Sequence, residues 1–240
     1  MHVLASLLML AAAAADKPAV VLVHGAFADA SSWSKVIPLL EKDGYYVTAV
    51  QIPLTSLSDD VAVAKRVIDA QKGAVAVVGH SYAGAVITDA AAGNANVKSL
   101  VYVNAFAPDA GEALAEPGSK FPTPPLNAAL VPDAAGFLYI DRAKVHDVFC
   151  KDVPDPDARI IAATQKPLNK SVFEAKVGNV AWKTIPSWYI VGKEDRAINP
   201  DLERFYAKRM NAKTTELKSS HVPFLSHPKE VVQVIEAAAR

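Results

Sequence analysis

The stretch from Ala74 to Gly84 constrains this chain most. Ala74 to Val78 is an apolar, valine-rich run too short for a helix, and it reads as a buried strand. Ala85 to Ala92 is alanine-rich and free of proline, and it reads as a helix. Between them lies Gly79-His80-Ser81-Tyr82-Ala83-Gly84, so strand turns into helix within three residues and a serine stands at the apex. That is the pattern of a nucleophile elbow. The apex residue is strained, and the neighbouring strand and helix crowd its flanks, so small residues are needed on either side. Gly79 meets that need. Ala83 stands where G-x-S-x-G asks for a second glycine, and Gly84 comes one residue later. A methyl group is small enough for such a position. The competing reading is an ordinary strand-to-helix turn with a capping serine; the rest of the chain decides between them.

Strands and helices alternate on both sides of this turn. Ala19 to Val23 is a continuous apolar run ending in His24-Gly25-Ala26-Phe27. Trp33 to Lys42 carries Trp33, Val36, Ile37, Leu39 and Leu40 at helical spacing, with Gly44 as its stop. Tyr45 to Ile52 reads as a strand, Ser58 to about Gln71 as a helix, and Val97 to Asn104 as a further strand. After Pro108 the alternation lapses into proline-rich chain with short amphipathic pieces, an excursion long enough to be functional. It reads as a cap of short helices. Alternation resumes with a strand at Ser187 to Val191, a helix at Pro200 to Met210, a strand at Thr214 to Leu217 and a helix from Pro228. The expected fold is α/β, a doubly wound, mostly parallel sheet formed by residues 16–109 and 182–240, with residues 110–181 inserted as a small cap.

In such sheets, ligand sites lie beyond the carboxyl ends of the strands. Ser81, His24 to Phe27, Lys193-Glu194-Asp195 and Ser219-Ser220-His221 all stand at strand ends. A serine hydroxyl needs a base to become a nucleophile, and the base needs an orienting carboxylate. His221 sits on the connection after the last strand and is the expected base, with His227 as the alternative. Asp195 is the expected acid; Asp109, after Pro108, and Glu194 are the alternatives. Acyl transfer also needs donors for the developing oxyanion, worth about 3 kcal/mol each. The backbone N–H groups of Tyr82 and Ala26 are the expected donors, and Phe27 is the next candidate. His24 reads as a residue that holds its loop, not as a base.

Several other classes of function are excluded or disfavoured. Twenty-five basic residues balance twenty-five acidic ones among 240, with no basic run, which argues against nucleic acid as a partner. The one cysteine, Cys150, allows no internal disulfide, and no Cys/His cluster has metal-ligand spacing, so neither metal nor cofactor is expected. Val3 to Ala15 is apolar and uncharged and ends in Ala13-Ala14-Ala15 before Asp16, which resembles a signal peptide, although Met1-His2 supplies no Lys or Arg. The expectation is export to the periplasm or medium. A retained apolar segment on a cytoplasmic protein is the other reading, and the run is too short to span a bilayer. The sequence leaves the oligomeric state open, with a homodimer among the readings.

With these pieces placed, HGAFADASSW, GHSYAG, VGKEDRAINP and SSHVPFLSHP resemble the α/β-hydrolase superfamily from about Val20 to the C-terminus. Within it they resemble the small esterase branch that includes plant methyl esterases, plant hydroxynitrile lyases and bacterial pyrethroid-type carboxylesterases. The resemblance implies Ser81 as nucleophile, His221 as general base, Asp195 as its partner, and Ala26 and Tyr82 as oxyanion donors. It implies a cofactor-independent hydrolase acting on a small-molecule ester. The lyases carry a threonine where this chain has Gly25-Ala26 and a lysine where it has Val222, so the resemblance favours hydrolysis over cyanohydrin cleavage. A lyase, a lactonase or a low-turnover receptor on the same scaffold are the alternatives. Phe121, Leu126, Phe137, Leu138, Tyr139, Phe149, Phe173 and Trp182 are the cap side chains expected to form an apolar pocket or the cap's own small core.

Overall fold

The computed structural model describes residues 17–240, so the signal-peptide reading of residues 1–15 lies outside the described residues. The core begins with β1 (Ala19–Val23), α1 (Ile37–Lys42), β2 (Val47–Val50), α2 (Leu57–Asp69), β3 (Val75–His80), α3 (Ala83–Ala90) and β4 (Val97–Val103). The insertion holds α4 (Ala115–Gly118), β5 (Leu130–Pro132), β6 (Phe137–Ile140), α5 (Val145–Val148), α6 (Asp155–Thr164) and β7 (Leu168–Asn169). The chain ends with β8 (Ser187–Gly192), α7 (Pro200–Arg209), β9 (Lys213–Leu217), α8 (Pro223–Ser226) and α9 (Pro228–Ala238).

Six parallel strands form the main sheet in the order β2-β1-β3-β4-β8-β9. The apolar runs of β1 and β3 are buried along their whole length, as interior strands covered on both faces must be. At the edge, β9 carries Lys213 and Glu216, charges that blunt an open strand. The strand order reverses at β1, which lies between β2 and β3. The carboxyl ends of β1 and β3 therefore flank a crevice, the usual ligand position in an open α/β sheet.

Two expectations need correcting. The helix expected over Trp33 to Lys42 is split into a 3-10 turn at Ala30–Trp33 and α1. Pro38 has no N–H to continue an existing helix but is well suited to a helix's first turn, so α1 starts there. The cap contains more than short helices, because β5, β6 and β7 form a three-stranded antiparallel sheet. Its hairpin closes through Asp133, whose side chain accepts the N–H groups of Ala135 and Phe137, and through Gly136 at φ +84°.

Candidate active site

Ser81 stands at the apex of the β3–α3 turn with φ +54°, in the left-handed region that a serine enters only under constraint. Its N–H bonds Val103 O at 3.1 Å, and its own carbonyl accepts from Gly84 at 3.0 Å and Phe106 at 3.1 Å. The flanking glycines have no room for a side chain. A Cβ on Gly79 would lie 2.7 Å from Ala83 O, and one on Gly84 would lie 2.1 Å from Phe106 O. Ala83 is fully buried with its methyl accommodated, so the second tight position of the elbow is Gly84.

His221 follows β9 and places Nε2 2.8 Å from Ser81 Oγ and Nδ1 2.6 Å from Asp195 Oδ2. The hydrogen-bond network assigns the tautomer: Nδ1–H donates to the carboxylate and Nε2 accepts from the serine hydroxyl. Asp195, after β8, takes the N–H groups of Ala197 and Ile198 on Oδ1 and the Asn104 amide on Oδ2. Burial by itself would raise the Asp195 carboxyl. The adjoining His221 imidazole and hydrogen bonds from His221 and Asn104 hold it at about 2, ionised at neutral pH.

The loop after β1 runs directly beside Ser81. A Cβ on Gly25 would come within 2.7 Å of Ser81 Cβ, so glycine alone allows this approach. Among the described residues, the N–H groups of Ala26, Phe27 and Tyr82 meet no protein acceptor. His24 donates from Nδ1 to Gly25 O at 2.9 Å and accepts the Ile52 N–H on Nε2 at 3.2 Å. It ties this loop to the chain after β2, as expected of a structural histidine.

Ser81, His221, Tyr82, Ala26 and Phe27 line a cavity of about 270 Å³ whose surface is mostly apolar. Leu126, Phe149 and Phe173 of the cap line it too, whereas Phe121, Phe137, Leu138, Tyr139 and Trp182 do not. Phe121 packs on Phe205, and Trp182 donates to Pro108 O beneath the Arg209 guanidinium. Phe137, Leu138 and Tyr139 are spent on β6. Asp195, Glu203 and His221 bring ligand-capable atoms within 4.8 Å of one another. Each Asp195 oxygen already accepts two donors and His221 Nδ1 carries a proton, so this cluster suits proton sharing better than a cation.

Residues 20–234 match the alpha/beta hydrolase family. The chain belongs to that family. Among its relatives, the alpha/beta hydrolase nvfD of Aspergillus novofumigatus (strain IBT 16806) is 28% identical, with 93% of this chain and 97% of the relative aligned. A putative chloroplastic methylesterase 11 of Arabidopsis thaliana is 23% identical over 92% of this chain and 63% of the relative. The crystal structure of polyneuridine aldehyde esterase superposes with a TM-score of 0.81 at 19% identity, covering 93% of this chain and all (100%) of that one. This last likeness is one of fold.

The alternatives named from the sequence lie elsewhere on this hydrolase. Asp109 pairs with Lys183 near the surface, and Glu194 faces Lys218. His227 stands at the N-cap position of α9, its Nδ1 2.9 Å from Ser226 Oγ. Several supporting residues escaped sequence reasoning because their partners are distant along the chain. Asn104, at the end of β4, donates to Asp195 91 residues away. His80 donates from Nε2 to His221 O at 2.9 Å, holding His221 from the elbow itself. Asp60, buried in α2, accepts the Tyr82 hydroxyl at 2.7 Å and the Leu54 N–H at 2.7 Å, and so anchors the residue after Ser81. Asp152 of the cap binds Ser220.

Proposed function

We propose that this hydrolase cleaves small, fairly apolar carboxylic esters through Ser81, His221 and Asp195. The observation that carries the reading is the continuous hydrogen-bonded chain from Ser81 Oγ through His221 to Asp195, at the floor of an apolar cavity. Ser81 Oγ attacks the ester carbonyl carbon while its proton passes to His221 Nε2. The oxyanion is held by the N–H groups of Tyr82 and Ala26, which point from a helix start and from the loop after β1. Collapse of this intermediate breaks the bond to the alcohol, which leaves with the proton from His221. A water then gives a proton to His221 and attacks the acyl-enzyme, and the acid departs as Ser81 regains its proton. Asp195 stays ionised throughout and holds the imidazole in the productive tautomer.

A cavity of about 270 Å³ suits esters at the small end of the usual ligand range. Membership of the alpha/beta hydrolase family and a relative named as a methylesterase support an ester as substrate. The test is turnover of p-nitrophenyl acetate by the wild type and by Ser81→Ala, with mass spectrometry locating the adduct of a fluorophosphonate. The expected result is a loss on the order of 10⁴-fold or more and an adduct on Ser81 alone. Undiminished turnover by Ser81→Ala would overturn the reading.

A further inference from the structure

Glu203 is a carboxyl for which the three-residue mechanism has no use. It lies in the first half of α7, is fully buried, and brings a carboxyl oxygen within 4.8 Å of the Asp195 carboxylate. One oxygen, Oε2, accepts the Gly192 N–H at 3.0 Å, while Oε1 has no donor among the described residues. Asp195 for its part already accepts four donors: two backbone N–H groups, the Asn104 amide and His221. Two buried carboxylates this close would repel one another without water to screen them, so only one can carry the charge. The charge belongs on Asp195, where the donors are. The remaining proton belongs on Glu203, whose bare oxygen needs an acceptor and whose neighbour is one.

We infer that Glu203 is a positioning residue of the active site: as a neutral carboxylic acid it donates a hydrogen bond to Asp195 and extends the chain Ser81–His221–Asp195 by one member. The other groups around it agree with this assignment. Tyr189 of β8 and Tyr206 of α7 are neutral phenols held above their ordinary range, chiefly by burial. The Arg204 guanidinium is turned to Glu216 and Asp201, and His221 presents its imidazole to Asp195. Burial first, and then the Asp195 charge, push the Glu203 carboxyl well above the usual carboxylate range. The consequence concerns the base. A donor on Asp195 shares the charge that would otherwise fall wholly on His221, so it lowers the proton affinity of the imidazole.

This inference rests on the proposed role of Ser81 and His221 and is tested with two substitutions and one spectroscopic readout. Glu203→Met removes the donor at similar volume. The expected result is a kcat about tenfold lower and an acidic limb of kcat/KM moved up in pH by about half a unit or more. Glu203→Gln keeps a donor of the same shape, and it should recover most of the rate with the limb back near its wild-type position. Were Glu203 ionised, Glu203→Gln would remove a negative charge and move the limb about one unit towards acid. That result overturns the inference. So does a Glu203→Met variant whose limb does not move, which would leave Glu203 only a structural part.

Infrared difference spectra of wild type against Glu203→Gln at neutral pH should show the C=O stretch of one protonated carboxyl group. Its absence overturns the assignment. This readout needs no substrate. If the wild type cleaves no ester, the spectrum and the rate of Ser81 phosphonylation still decide the state of Glu203, so failure of the esterase reading stays distinct from failure of this one.

Discussion

Asp152 of the cap accepts the backbone N–H of Ser220 at 3.1 Å and, on its other oxygen, the Ser220 hydroxyl. Ser220 immediately precedes His221, so an inserted segment holds the loop that carries His221. Substituting Asp152→Ala leaves the N–H of buried Ser220 without its partner and frees that loop. We expect kcat to fall about tenfold with KM little changed, because a displaced base affects the chemical step more than binding. Stability should drop by about 2 kcal/mol. Steady-state kinetics with urea unfolding checks both; an unaltered kcat would show that the cap does not set the base.

Acid should weaken the fold from near neutrality downward. Burial pushes the His24 imidazole down to about 4, against 6.5 for an ordinary histidine. Between these values the unfolded chain binds a proton that the folded chain refuses. Stability from a neutral His24 is therefore complete above 6.5 and is lost as pH falls towards 4. His80 is shifted in the same direction, again chiefly by burial. Asp195 acts in a lower window, its contribution present above 3.8 and lost as pH falls towards about 2. Urea unfolding across the first window should lose up to about 3 kcal/mol on account of His24, and His24→Gln should flatten the slope. A slope unchanged in that variant would contradict the assignment.

Phe149 separates the active-site cavity from a second one. Its ring meets Phe27 edge-on with centroids 6.3 Å apart and lies 5.0 Å from the His221 ring. Beyond it lies a space of about 240 Å³, lined by Ile161, Phe224 and Leu225, that shares Phe27 and Phe149 with the first. Phe149→Ala should join the two. The kcat/KM for p-nitrophenyl octanoate should rise about tenfold relative to the acetate, at a stability cost of about 3 kcal/mol or more. An unchanged ratio would show that the spaces stay separate.

The elbow makes opposite demands on two adjacent residues. Gly84→Ala would drive a methyl group into the Phe106 carbonyl and should cost about 3 kcal/mol or more, or prevent folding. Ala83→Gly should cost only about 1 kcal/mol and preserve turnover. Thermal unfolding of the two variants makes the comparison, and equal effects would refute it.

Much of this was legible in the amino-acid order. Apolar runs at Ala19–Val23 and Ala74–Val78, separated by helical faces, determine a parallel sheet, because only a strand covered on both sides is apolar throughout. A serine in a glycine-flanked strand-to-helix turn, with Asp195 and His221 after later strands, pointed to one edge of that sheet. These are local signals: each depends on residues a few positions apart. What only the tertiary structure decided depends on residues far apart in the chain. Gly84 rather than residue 83 is the tight position because β4 leads Phe106 against α3. The cap's three strands depend on cross-strand pairing that short proline-rich segments do not announce. The donors and acceptors behind the site, Asn104, Asp60, Asp152 and Glu203, are ordinary polar residues in sequence. They acquire a role only when folding removes water from around them and brings partners distant in the chain within reach.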